Sequence, residues 1–181
     1  KLNPDGLLGV VVAFGSIISR EFLQQVPMIN IHYSALPRWR GAAPVERAIL
    51  EGDSATAVCV IQVVEQLDAG DLLASSPCDI REDDSVTGLR DRLGQLALPL
   101  LIDICSNGVS SQQAQVGEVV IARKISTDDL VITWSSSSEL ICRQVRLGNA
   151  FTFFEGKRFK VHEASRASEQ LPAGTISCED G

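Results

Sequence analysis

Asn30 and His32 stand two residues apart in the apolar run from Met28 to His32, a spacing that on a β-strand sends both side chains out of one face. An amide donor beside an imidazole can hold a carbonyl oxygen that becomes an oxyanion during acyl transfer. Asp68 lies in Leu67-Asp68-Ala69-Gly70-Asp71, a turn-rich segment able to fold a carboxylate back over a neighbouring strand end. Beside His32, that carboxylate could pass a proton through water. Asn30, His32 and Asp68 are therefore the candidate catalytic residues.

The elements that must position them are legible in the pattern. Leu7 to Phe14 (LLGVVVAF) is a continuous Val-rich run, as expected of a strand buried on both faces of a parallel sheet. A helix over Ser16 to Gln25, closed by Pro27, and a strand over Met28 to His32 complete a βαβ unit. The end of that second strand opens into the Tyr33 to Gly41 loop, where open α/β sheets place their ligands. Pro44 suits the first turn of a helix reaching Glu51. Strands are expected over Thr56 to Val64 and Leu72 to Ile80. Ser85 should cap a helix over Val86 to Asn107 that Pro99 would kink, and a polar connection follows over Gly108 to Gln115. Beyond Ser126 the reading is strand-like for Leu130 to Trp134, helical for Ser137 to Arg146, and a hairpin for Phe151 to Phe154 with Lys157 to Ala164. A domain boundary is placed near Ile125, giving parts 1–125 and 126–181.

The 181 residues are 45% hydrophobic and 22% charged, the profile of a soluble globular protein. No apolar run approaches the roughly 20 residues of a membrane helix, so a membrane protein is excluded. The five cysteines are scattered, without metal spacing, and read as reduced thiols in a cytoplasmic protein. A net charge of −7 makes the whole chain repel nucleic acid, so any RNA contact must be a local basic patch. Lys1 in place of Met, and a strand that begins only at Thr175, point to a piece of a longer chain.

The longer run Ile29-Asn30-Ile31-His32-Tyr33-Ser34-Ala35-Leu36-Pro37-Arg38-Trp39-Arg40-Gly41-Ala42-Ala43-Pro44 resembles the signature of the formyltetrahydrofolate-dependent formyltransferases, Asn-x-His-x-Ser-Leu-Leu-Pro before an Arg-Gly-x-x-Pro loop. Leu67-Asp68-Ala69-Gly70-Asp71 resembles the same family's Leu-Asp-Thr-Gly-Asp segment, at the family's separation from the histidine. The resemblance implies a Rossmann-like formyltransferase fold with a mostly parallel sheet, then the start of a small OB-like β-barrel. It also implies that the chain lacks the family's opening strands and most of that barrel.

The resemblance further implies that Asn30 and His32 contact the formyl oxygen and that Asp68 assists proton transfer. Ser34, Ala35, Leu36 and Pro37, with Phe14 and Gly15 in Ala13-Phe14-Gly15, would line the folate site. The co-substrate would be 10-formyltetrahydrofolate, with no metal and no nucleotide cofactor. Arg38 to Val45, together with Ile132-Thr133-Trp134 and Gly156 to Val161, is closest to the branch whose acceptor is initiator methionyl-tRNA. Arg38, Arg40, Lys157 and Arg158 are then possible tRNA contacts, and the full-length form a monomer. Trp39 is expected to anchor its loop, and His162 to be a surface or packing residue. Alternatives are another acceptor in the same family, a formyltetrahydrofolate hydrolase, or a non-catalytic folate-binding domain. Ala35 for the usual Leu, Thr56-Ala57 for Thr-Gly, and a short Leu147-Gly148-Asn149 link are departures from the family pattern.

Overall fold

A computed structural model describes residues 6–14 and 18–166 of the chain. Gly15, and the strand expected at Thr175 to Cys178, lie outside the described residues.

Strand β1 (Gly9–Val12), helix α1 (Arg20–Gln25) and strand β2 (Met28–His32) form the expected unit, with β1 and β2 parallel. The helix is shorter than the spacing predicts because Ser19 caps it, its Oγ accepting from the Phe22 N–H at 3.3 Å. Next come β3 (Arg40–Gly41), α2 (Pro44–Glu51), β4 (Ala55–Gln62), β5 (Leu72–Asp79) and α3 (Val86–Asn107). The four-stranded sheet runs β1-β2-β4-β5. It is mixed among the described residues: β1–β2 is parallel, while β4 runs antiparallel to both β2 and β5. This refines the expectation of a mostly parallel sheet. β1 and β2 run parallel across the α1 connection, whereas β4 and β5 are joined by the short 63–71 turn and must reverse direction.

Side-chain alternation divides the sheet. Ile31 and Val58 face α2 and α3, where they pack with Val45, Ile49, Leu89, Leu93 and Ala97. Ala57, Cys59 and Ile61 face the other way and pack with Leu36. His32 is paired with Cys59, and Asn30 with Ile61, so both polar residues share this second face. Burying side chains of this size contributes roughly 1.5–3 kcal/mol each. A one-residue slip of β2 would turn Ile29 and Ile31 out of the core.

Pro99 does not break α3, which is continuous over 22 residues. Pro99 and Gln95 are both exposed, so the carbonyl left without its N–H partner lies on the wet face of the helix. The strand expected at Leu130 to Trp134 is replaced by a short helix, α4 (Thr127–Leu130), and an isolated bridge at Val131. A capping box accounts for this: Ser126 Oγ accepts from the Asp129 N–H and the Asp129 carboxylate accepts from the Ser126 N–H. β6 (Ile121–Ala122) pairs with β3 in parallel. α5 (Ser138–Arg146) and the antiparallel hairpin β7 (Phe151–Phe154) and β8 (Lys157–Lys160) complete the described elements. Residues 126–166 thus supply a hairpin and two helices, not a closed barrel. No helix among the described residues is long and apolar enough to cross a membrane.

The two sides of the expected boundary at Ile125 are tied together. Arg47 on α2 donates Nη1 and Nη2 to the Asp129 carboxylate at 2.9 and 2.8 Å, Nε to the Arg123 carbonyl and Nη2 to the Lys124 carbonyl. Arg146 on α5 donates to the Arg81 and Asp84 carbonyls, both at 2.7 Å. The Arg47 hydrogen bonds hold the Asp129 carboxyl well below its usual range, at about 2, against roughly 3.9 unfolded. This stabilisation is fully present above the unfolded value and is lost as pH falls through about 2. Arg47→Ala should cost about 2 kcal/mol, lowering Tm by about 4–8 °C at neutral pH. The gap between the melting curves of wild type and variant should narrow steadily below pH 4; a gap that stays constant down to pH 2 contradicts the assignment.

Candidate active site

β2 delivers Asn30 and His32 at its carboxyl end, and the loop that follows doubles back over them. Its key device is Trp39, whose φ of 66° turns the chain in the left-handed sense. Trp39 is 6% exposed, and its Nε1 donates to Asp53 Oδ2 at 2.7 Å, so it anchors the loop as expected. Arg38 lies 4.3 Å over its ring and donates Nε and Nη2 to the same Asp53 carboxylate at 3.0 and 2.7 Å.

The anchored loop presents the Trp39 carbonyl to His32, 2.8 Å from Nε2. A carbonyl only accepts, so Nε2 must carry a hydrogen. The other ring nitrogen, Nδ1, faces Asp68 Oδ2 at 3.6 Å, with His32 6% and Asp68 9% exposed. That gap is slightly long for a hydrogen bond and too short for an intervening water. Small closure would make it a direct contact.

Asp68 is also held by its other neighbours. Asn30 Nδ2 donates to Oδ1 at 3.1 Å, and the Gly41 N–H donates to Oδ2 at 2.9 Å. Asn30 Nδ2 carries two hydrogens, of which Asp68 takes one. The structure therefore gathers the amide, the imidazole and the carboxylate into one cluster. What it can do chemically is donate from an amide N–H and move a proton between imidazole and carboxylate.

The remaining expected residues are placed unevenly. Ala35 is exposed, whereas Ser34, Leu36 and Pro37 are buried. The Cys59 thiol donates to the Ser34 carbonyl at 3.1 Å, and burial pushes that thiol up, so it stays a neutral donor. Phe14 is 60% exposed. It lines a hollow of about 480 Å³ with Val10, Val12, Ile18, Phe22 and Met28, whose lining does not include Asn30, His32 or Asp68. Arg40, expected to face RNA, is 9% exposed and turned onto Gln115. A phosphate could reach it only by breaking that contact. Lys157 and Arg158 stand exposed on the hairpin, Arg158 lying 3.8 Å over Phe151. His162 is exposed, as expected. Among the described residues no group of His, Cys, Asp and Glu gathers to hold a metal ion.

Sequence reasoning missed three contributors: the Trp39 carbonyl, the Gly41 N–H and Gln115. The first two are backbone groups and leave no side-chain signal. Gln115 sits in the polar run after α3, where its residue type does not distinguish it from Gln112 and Gln113.

Residues 1–104 match the family model described as formyl transferase. A methionyl-tRNA formyltransferase of Coxiella burnetii is 37% identical over 179 residues, covering 93% of this chain and 56% of that protein. The chain thus spans little more than half the length of the curated relatives it matches. Among solved structures, a methionyl-tRNA formyltransferase from Clostridium thermocellum superposes with a TM-score of 0.73 at 20% identity, covering 89% of this chain and 74% of that one. HypX from Aquifex aeolicus in complex with tetrahydrofolic acid gives 0.72 at 18% identity, covering 83% and 28%. These two likenesses are of fold.

Proposed function

Because the chain belongs to the formyl transferase family, we propose that the protein it represents transfers a formyl group from 10-formyltetrahydrofolate to the amino group of methionine charged on initiator tRNA. It acts in the cytoplasm as a monomer in its full-length form. The observation that carries this reading is the convergence of Asn30, His32 and Asp68 within hydrogen-bonding or near-contact distance. The name of the sequence relatives supports the acceptor.

The co-substrate supplies the electrophilic formyl carbon and the oxygen on which charge develops. The donor set fits that need: the second Asn30 amide hydrogen can be given to the formyl oxygen without releasing Asp68, and His32 Nδ1 is the ring position not committed to the Trp39 carbonyl. Asp68 accepts the proton that the attacking amine loses, directly or through a water, and returns it to N10 of the folate as the formyl carbon–N10 bond breaks and tetrahydrofolate leaves. Ala35 and the backbone of Ser34 to Pro37 form the folate-facing wall, and Phe14 its far side. The part from Ser126 begins a second, RNA-contacting unit, with Lys157 and Arg158 exposed on its hairpin, and Arg38 in the loop after β2 is a further candidate. Arg38 is the weakest of these, since Asp53 already pairs with it. Arg40 serves the interior instead.

The test is an acceptor comparison with the intact protein and 10-formyltetrahydrofolate. Charged initiator methionyl-tRNA should give the highest kcat/KM, ahead of nucleotide-linked aminosugars, small amines and water. A nucleotide-sugar or water preference would assign the site to another branch or to hydrolysis. Folate binding with no transfer to any acceptor would make it a binding domain.

A further inference from the structure

Gln115 belongs to none of the motifs above, yet its carboxamide is fully engaged at the site. Nε2 donates to the Asp68 carbonyl and to the Gly70 carbonyl, each at 2.8 Å. Oε1 accepts from Arg40 Nε at 3.0 Å and Nη2 at 2.7 Å. The guanidinium only donates and the carbonyls only accept, so a single orientation of the amide satisfies every partner.

What the amide grips is a strained turn. Asp68 has a φ of 48°, the left-handed region that a residue with a Cβ rarely enters unless neighbours hold it there. The segment carrying Gln115 is itself fastened beside that turn. Leu72 and Gln113 exchange backbone hydrogen bonds at 2.8 and 2.9 Å, and Gln112 Nε2 donates to Gln62 Oε1 at 3.1 Å and Asp71 Oδ2 at 2.9 Å. The polar connection after α3 is thus the back wall of the Asp68 turn.

We propose that Gln115, oriented by the buried Arg40, is a positioning residue for formyl transfer: it holds the Asp68 turn so that the carboxylate stays on Asn30 and the Gly41 N–H and faces His32 Nδ1. This rests on the formyl-transfer reading. Gln115 itself touches no substrate and acts through Asp68.

In the intact protein, Gln115→Leu should lower kcat about 10–100-fold while KM for folate and for the acceptor stays within about twofold. Added to Asp68→Asn, the same change should cause no further loss, because the carboxylate it positions is already gone. Amide exchange at Gly41, whose N–H the carboxylate accepts, should quicken by about tenfold. Gln115→Glu keeps the length and the Arg40 contact but cannot donate to the carbonyls, so it should match Gln115→Leu and serves if that variant misfolds. A wild-type kcat in either variant, or an equal extra loss on the Asp68→Asn background, overturns the positioning role. Should the wild type transfer no formyl group at all, the reading of function fails. The exchange rate at Gly41 would still decide whether Gln115 holds the turn.

Discussion

Asp68→Asn is expected to lower the rate of formyl transfer by about 10²–10⁴-fold at a cost of about 1–3 kcal/mol in stability. The two side chains have the same shape, so the turn and its neighbours can stay in place. What changes is what the group can accept. The carboxylate now takes hydrogens from Asn30 Nδ2 and from the Gly41 N–H, and lies 3.6 Å from His32 Nδ1. An amide has one oxygen, so one of those contacts becomes a donor facing a donor. The imidazole also loses the anion beside its Nδ1, and the attacking amine loses its proton acceptor. Single-turnover transfer to charged tRNA, with Tm measured in parallel, checks this; a rate within threefold of wild type would remove Asp68 from the chemistry. Because His32 is joined to the same cluster, His32→Gln on the Asp68→Asn background should cost far less than it does alone.

A second large effect is expected from a single methyl group. A Cβ placed on Gly70 would lie 1.8 Å from the Gln62 carbonyl oxygen and 2.8 Å from its carbon. Both are backbone atoms of a strand end that is paired through the Gln62 N–H to the Asp71 carbonyl at 3.0 Å. Neither can rotate away, so the turn must leave the strand. Gly70→Ala should therefore destabilise the fold by about 3 kcal/mol or more and abolish transfer, since Asp68 moves with the turn. Gly108→Ala is the control. That glycine lies at φ 81° and ψ 179°, outside the left-handed helical region, with nothing within 4 Å of a new Cβ, so only backbone strain of roughly 1–3 kcal/mol is at stake. Urea midpoints for the two variants compare them directly. Similar shifts would mean that the Gln62 strand yields and that the crowding at Gly70 is absorbed.

Much of the site was present in the order of residues. Two side chains two apart on a strand must share a face, so Asn30 and His32 were placed together by periodicity alone. Ser85 and Gly108 bracket α3 as helix caps do, and its limits emerge as expected despite Pro99. The direction of β4 was less legible, because a run such as TAVCVIQVV is equally apolar in either sense. The capping box at Ser126 and Asp129 also overrode the β-branched residues beyond it, since a hydroxyl and a carboxylate that each satisfy one backbone donor outweigh a weak strand preference.

Alternation and turn chemistry are local properties, and the sequence by itself determined the strand that carries Asn30 and His32, the glycine turn beside Asp68, and the family to which they point. Only the tertiary structure decided that Asp68 reaches His32, that Trp39 gives its carbonyl to Nε2, that Arg40 turns inward and that Gln115 holds the turn. Each of those depends on segments far apart in the chain meeting through backbone carbonyls and N–H groups. Every residue carries such groups, so they mark no position in a sequence until the chain has folded around them.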